Sequence, residues 1–123
     1  MPVKRNERFQ RVGGGGFTGV LSIPAMDNAL RGGYATASTD TGHDAAKEPI
    51  ASFGSPGPQS SHAARKVVDY AYMAVHETSV LAMQFGATQC GQAAAKFSCW
   101  VGCSTGGRQG MKEAHCYPED FDG

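Results

Sequence analysis

The chain has 123 residues, enough for one small domain with a packed core that does not depend on disulfides. Eleven Lys and Arg against eleven Asp and Glu leave no net charge, which removes the electrostatic case for a nucleic-acid footprint or a polybasic membrane contact. No apolar run approaches the ~20 residues of a transmembrane helix, and the start, MPVKRNERFQRV, has no apolar core behind its basic residues, so it does not read as a signal peptide.

Arg8–Val12 (RFQRV) predicts a short strand that runs into Gly13–Gly16. Residues 17–31 are mixed, and Pro24 limits any helix to the residues after it, leaving little room for a first helix. Gly32-Gly33 marks a turn, and Tyr34–Asp40 (YATASTD) predicts a second strand. Prolines, glycines and hydroxylated residues make 41–62 a loop. Ala63–Phe85 predicts a long helix with an apolar stripe of Val67, Ala71, Ala74, Val75, Thr78, Leu81, Ala82 and Phe85, stopped by Gly86. Phe97–Val101 (FSCWV) has no period, as in a strand buried on both faces. Residues 106–116 predict a final helix closed by Pro118. Strands alternating with helices indicate the α/β class, with a mostly parallel sheet covered by helices.

Two glycine motifs compete for the function. Gly14-x-Gly16-x-x-Gly19 matches the dinucleotide fingerprint, with Asp40 where a ribose-binding acid would stand. That motif must open directly into a helix, and Gly19 and Pro24 stand in the way. The second motif, Gly102-Cys103-Ser104-Thr105-Gly106, lies between a strand and a helix. In that context G-x-S-x-G is a nucleophile elbow: small neighbours allow a very tight turn and present the serine oxygen above the sheet. Its bland alternative is a glycine-rich helix cap using Ser104 or Thr105. The elbow reading also employs the first cluster, because a glycine loop after an earlier strand can bring N–H groups to a developing oxyanion.

Four cysteines (Cys90, Cys99, Cys103, Cys116) permit two disulfides in three connectivities. Cys99, Cys103, His115 and Cys116 fit no common zinc spacing. His115 stands eleven residues past Ser104, about 16 Å down a helix, beyond the ~3 Å reach of a general base. His43 with Asp44, and His76 with Glu77, read as local pairs or packing; His62 lies in the loop. Asp40 and Asp69 have no role as triad acids without a histidine beside Ser104. Arg108, near the elbow, reads as a helix-surface ion-pair residue, with orientation of a carboxylate as the alternative.

The segments GGGGFTG, GGYATASTDTGH, DYAYMAVHE and above all GCSTGGRQGMKEAHCYPEDFDG resemble the tannase/feruloyl esterase family, which also contains the mono(2-hydroxyethyl) terephthalate hydrolase. The resemblance runs in order along nearly the whole chain. It implies a partial α/β-hydrolase fold over 1–123, with an oxyanion glycine loop at 13–19 and the elbow at 102–106. It implies Ser104 as nucleophile, an oxyanion hole from the N–H of Thr105 and of Gly15 or Gly16, and Cys103 in a disulfide with a cysteine directly after the catalytic histidine. The family's catalytic Asp and His, and its lid with a calcium site, come after the point where this sequence stops. The resemblance therefore implies an interior piece of a longer, secreted or periplasmic enzyme. Its substrate would be a small ester of an aromatic acid, and its partner the remainder of the hydrolase. No cofactor or metal site is expected in these 123 residues.

Overall fold

The computed structural model describes residues 5–47, 54, 61–89 and 95–123. Cys90 and most of the 41–62 loop lie outside them. Three parallel strands form one sheet in the order β2-β1-β3, with β1 (Arg8–Val12) central, β2 (Ala35–Ala37) on one side and β3 (Phe97–Val101) on the other. Register is unbroken along β1 and β3, from Arg8 opposite Phe97 to Val12 opposite Val101. Successive crossovers run in opposite directions from β1, and the right-handed rule then puts α1 (Ile23–Arg31) on one face and the later helices on the other. The strand order reverses between β1 and β3. Their carboxyl ends thus border the crevice where open α/β sheets bind ligands.

Helix α1 forms despite Pro24, because the proline occupies its first turn, where a missing N–H breaks no helical bond. The expected crowding-out of a first helix is therefore corrected. β2 is three residues long instead of the expected seven; Asp40, Thr41 and Gly42 belong to a turn, with Thr41 and Gly42 at positive φ.

The long helix begins at Ser61 and has three parts: α2 (Ser61–Val68), a π-helical turn (Asp69–Met73) and α3 (Ala74–Gln89). His62 thus belongs to α2 and not to the loop. Gly86 does not stop the helix, which continues to Gln89. The expected apolar stripe is also corrected. Val75 and Ser79 are fully buried, whereas Leu81 and Phe85 are 63 % and 61 % exposed. β3 is likewise no doubly buried strand: Phe97 and Val101 at its ends are exposed. The segment after α4 (Thr105–Cys116) runs back along its outer edge. Ser98 C=O accepts from the Asp122 N–H at 2.9 Å and Gly123 C=O from the Trp100 N–H at 2.7 Å. No helix among the described residues is long and apolar enough to cross a membrane.

The core is small and partly polar. Phe9, Val12, Ala29, Ala35, Tyr70 and Val75 are its apolar members. Beside them lie Arg11 and Glu113, each 1 % exposed. Arg11 Nε donates to Ser79 Oγ at 3.2 Å, and the guanidinium lies over the Trp100 ring. Burial lowers Arg11 to about 10, partly offset by the charge of Glu113. Burial also pushes the Glu113 carboxyl up to about 7, against the opposing pull of His76.

Candidate functional site

The register of β1 and β3 determines the site. Because Val12 pairs with Val101, the two chains leave the sheet side by side as Gly13 and Gly102, and the Gly13 N–H extends the ladder to Val101 C=O at 2.9 Å. The turn at Gly102–Ser104 then reverses direction so sharply that α4 begins at Thr105. Ser104 takes φ 56° and ψ −121°, a conformation that L-residues with a side chain rarely adopt. Its side chain is exposed and caps nothing, so the helix-cap alternative does not describe it.

Absence of side chains at three positions permits this crossing. A Cβ on Gly102 would lie 2.5 Å from the Gly106 carbonyl carbon and oxygen. One on Gly13 would lie 2.5 Å from Gly106 Cα, and one on Gly106 would lie 2.9 Å from Gly14 O. The glycine loop, the elbow and the first turn of α4 therefore share one backbone contact. Trp100 seals it from below, its Nε1–H donating to Gly106 C=O at 2.9 Å.

The glycine loop is held from three sides. The buried Gln109 accepts from the Gly14 N–H through Oε1 at 2.9 Å, and Ser22 Oγ donates to Gly13 C=O at 2.8 Å. The Tyr70 hydroxyl donates to Gly16 C=O at 3.1 Å, and its ring stacks on Phe17 with centroids 5.8 Å apart. Gly15 and Gly16 are exposed, and their N–H groups donate to no acceptor among the described residues. Thr105 opens α4, so its N–H has no intrahelical acceptor either. Ser104, Thr105, Gly15 and Gly16 thus all lie at the carboxyl ends of β1 and β3.

Gln109, Tyr70 and Arg108 were not legible as parts of this arrangement. Arg108 is not a surface ion-pair residue. Its guanidinium donates to Tyr70 C=O at 3.1 Å and Ala71 C=O at 2.9 Å, and lies 4.7 Å from the Tyr70 ring centroid. Those acceptors belong to the π-turn, where the helical hydrogen-bond pattern is interrupted. Arg108 thereby joins α4 to Tyr70 and, through Tyr70, to the glycine loop.

No histidine among the described residues hydrogen-bonds Ser104. His43 is buried, with Nε2 3.0 Å from Phe17 O and Nδ1 3.3 Å from Thr41 Oγ1. His76 pairs with Asp120, and His115 is exposed in the last turn of α4. Asp69 pairs with Arg65 at 2.8 Å. Asp40 accepts from the Gly42 N–H at 2.9 Å within its own turn, and the loop containing Gly14, Gly16 and Gly19 does not open directly into a helix, which begins only at Ile23. The dinucleotide geometry is therefore missing. Cys99, Cys103 and Cys116 carry free thiols; Cys103 and Cys116 are exposed, and burial pushes the Cys99 thiol up. The scattered set Cys99, Cys103, His115 and Cys116 forms no cluster among the described residues.

The comparisons agree with this architecture. The family model described as "Tannase and feruloyl esterase" matches residues 1–123. A probable feruloyl esterase B-1 of Aspergillus fumigatus is 35 % identical over 123 residues, covering 100 % of this chain and 21 % of the relative. Feruloyl esterase B of Aspergillus niger is 31 % identical over 123 residues, covering 22 % of that protein. Among solved structures, feruloyl esterase B from Aspergillus oryzae superposes with a TM-score of 0.80 at 32 % identity, over 98 % of this chain and 22 % of that one. The chain spans about a fifth of the length of these relatives. It belongs to the tannase and feruloyl esterase family, with a partial α/β fold.

Proposed function

We propose that this chain is the nucleophile-bearing part of a serine carboxylesterase that cleaves small esters of aromatic acids. The backbone of Ser104 carries the reading. A φ of 56° on an exposed serine between a strand and a helix is a strained arrangement whose evident use is to lift Oγ into a crevice. Ser104 Oγ attacks the ester carbonyl, forming a C–O bond; the tetrahedral oxyanion collapses, expels the alcohol and leaves an acyl-enzyme that water hydrolyses. The N–H groups of Thr105 and of Gly15 or Gly16 receive the oxyanion. Gln109 and Tyr70 position the glycine loop for that task. The aromatic acid is suggested by the relatives, which are named as feruloyl esterases.

The base that takes the Ser104 proton, and the acid that orients that base, belong to the remainder of the hydrolase. No histidine among the described residues hydrogen-bonds Ser104, and the chain alone would retain only weak residual catalysis. The exposed Cys103 thiol would pair with a cysteine beside that histidine, in a secreted or periplasmic setting. The lid and its calcium site would likewise come from the remainder.

A chimera tests this reading. Residues 1–123 replace the matching fifth of a full-length feruloyl esterase B, and the folded product is assayed on an aromatic methyl ester. The chimera is expected to hydrolyse the ester and to take up a phosphonate label on Ser104. Ser104→Ala should lose activity by ~10⁴-fold or more. A folded, active chimera whose Ser104→Ala form keeps its activity would overturn the assignment.

A further inference from the structure

A second cluster lies away from the elbow, between α3, α4 and the segment after α4. His76 Nδ1 stands 2.8 Å from Asp120 Oδ2, and the His76 ring stacks on Tyr117 with centroids 3.5 Å apart. Glu113 completes the group: one ligand atom from each of His76, Glu113 and Asp120 lies within 4.8 Å of the other two. Glu113 is 1 % exposed, yet neither of its carboxylate oxygens has a hydrogen-bond partner among the described residues. A buried carboxylate left in that state is costly, and a bound ion is one of the few ways a native structure satisfies it.

Arg11 is a buried cation that interacts electrostatically with Glu113 but does not fill the role. Its Nε bond to Ser79 and its place over the Trp100 ring hold it without a hydrogen bond to Glu113, and its own Nη1 has no partner. An imidazole and two carboxylates converging from three segments match the donor set of first-row divalent ions. A tetrahedral ion with bonds of 2.0–2.2 Å sets its ligand atoms roughly 3.4 Å apart, so His76 Nδ1 and Asp120 Oδ2 would open from 2.8 Å and the Glu113 oxygen, within 4.8 Å of both, would meet them at the ion. The two carboxylates balance the ion's charge, and Arg11 adds one opposing charge nearby.

We propose that His76, Glu113 and Asp120 form a binding site for a divalent transition-metal ion of the zinc class. The ion would be structural. Glu113 lies nine residues past Ser104, about 13 Å along the helix, so no step at the ester is within its reach. It would tie α3 and α4 to the segment that edges β3, where Ser98 Oγ donates to Asp120 C=O at 2.9 Å. The site is independent of the esterase reading.

The purified chain, stripped with a chelator and kept reduced, is dialysed against Zn²⁺ and analysed for bound metal. About one equivalent is expected, with a higher thermal midpoint. Glu113→Gln and Asp120→Asn should each reduce binding at least tenfold. Substituting Co²⁺ identifies the ligands without any variant, because thiolate ligation produces a near-ultraviolet charge-transfer band that imidazole and carboxylate ligation lack. No bound ion, binding unchanged in both variants, or a thiolate band from Cys103 or Cys116 would each overturn the proposal. The cobalt spectrum keeps the test decisive should a variant fail to fold.

Discussion

The strain at Ser104 can be weighed by comparing two substitutions that both remove the hydroxyl. Because the side chain is exposed and caps nothing, loss of the oxygen itself costs the fold little. Ser104→Ala keeps a Cβ at φ 56°, ψ −121°, and so keeps the strain. Ser104→Gly removes it, recovering about 1–3 kcal/mol. Glycine also widens the unfolded ensemble, which costs about 0.4–1 kcal/mol relative to alanine. The difference leaves Ser104→Gly more stable than Ser104→Ala by about 1 kcal/mol, a shift of roughly 4 °C in Tm for a domain of this size. Urea unfolding of the two variants side by side measures it, with a midpoint difference of ~0.3–1 M. Equal midpoints, or a less stable glycine variant, would refute the claim that this turn stores strain. The case for a purpose-built nucleophile position would lose its main support with it.

Two further perturbations test neighbouring features. Gly106→Ala drives a methyl to within 2.9 Å of Gly14 O and 3.2 Å of Gly13 Cα, so it should destabilise by about 1–3 kcal/mol in the same urea assay, since backbone on both sides must move. Gly86→Ala should do the reverse: the helix continues through this position into open space, and alanine should stabilise by up to ~1 kcal/mol, read as a raised thermal midpoint.

Local chemistry was readable where it decides structure. RFQRV and FSCWV gave β1 and β3 at their observed bounds, and Gly102 and Gly106 marked a tight strand-to-helix turn because a Cβ at either would strike backbone. Pro24 misled because the same residue that breaks a helix interior is at home in a first turn. Leu81 and Phe85 misled because apolar character says which residues seek cover, not which of them this three-stranded sheet supplies with it. The supports of the site were illegible for a different reason. Gln109 meets Gly14, Tyr70 meets Gly16 and Arg108 meets the π-turn across 37 to 95 residues of sequence, and no local pattern encodes such meetings. Buried Arg11 and Glu113 were hidden by the reasonable habit of assigning charge to the surface.

The π-turn at Asp69–Met73 gives this helix a place where chain length has slack. A π-turn accommodates about one extra residue in a wider turn, so the α-helical parts on either side keep nearly the phase of an uninterrupted helix, whereas a residue lost from those parts rotates everything beyond it by ~100°. Tyr70 and Arg65 lie within or before the turn, while Val75, His76 and Ser79 lie beyond it. One part of the helix addresses the glycine loop and the other addresses Arg11 and Asp120. The wide turn takes up an extra residue on one shaft without turning either gear against the other. Loss of one residue here would close the helix to a regular one with both sets of teeth still in mesh, whereas the same loss within the α-helical stretch between Ala74 and Ser79 would put one set out of mesh.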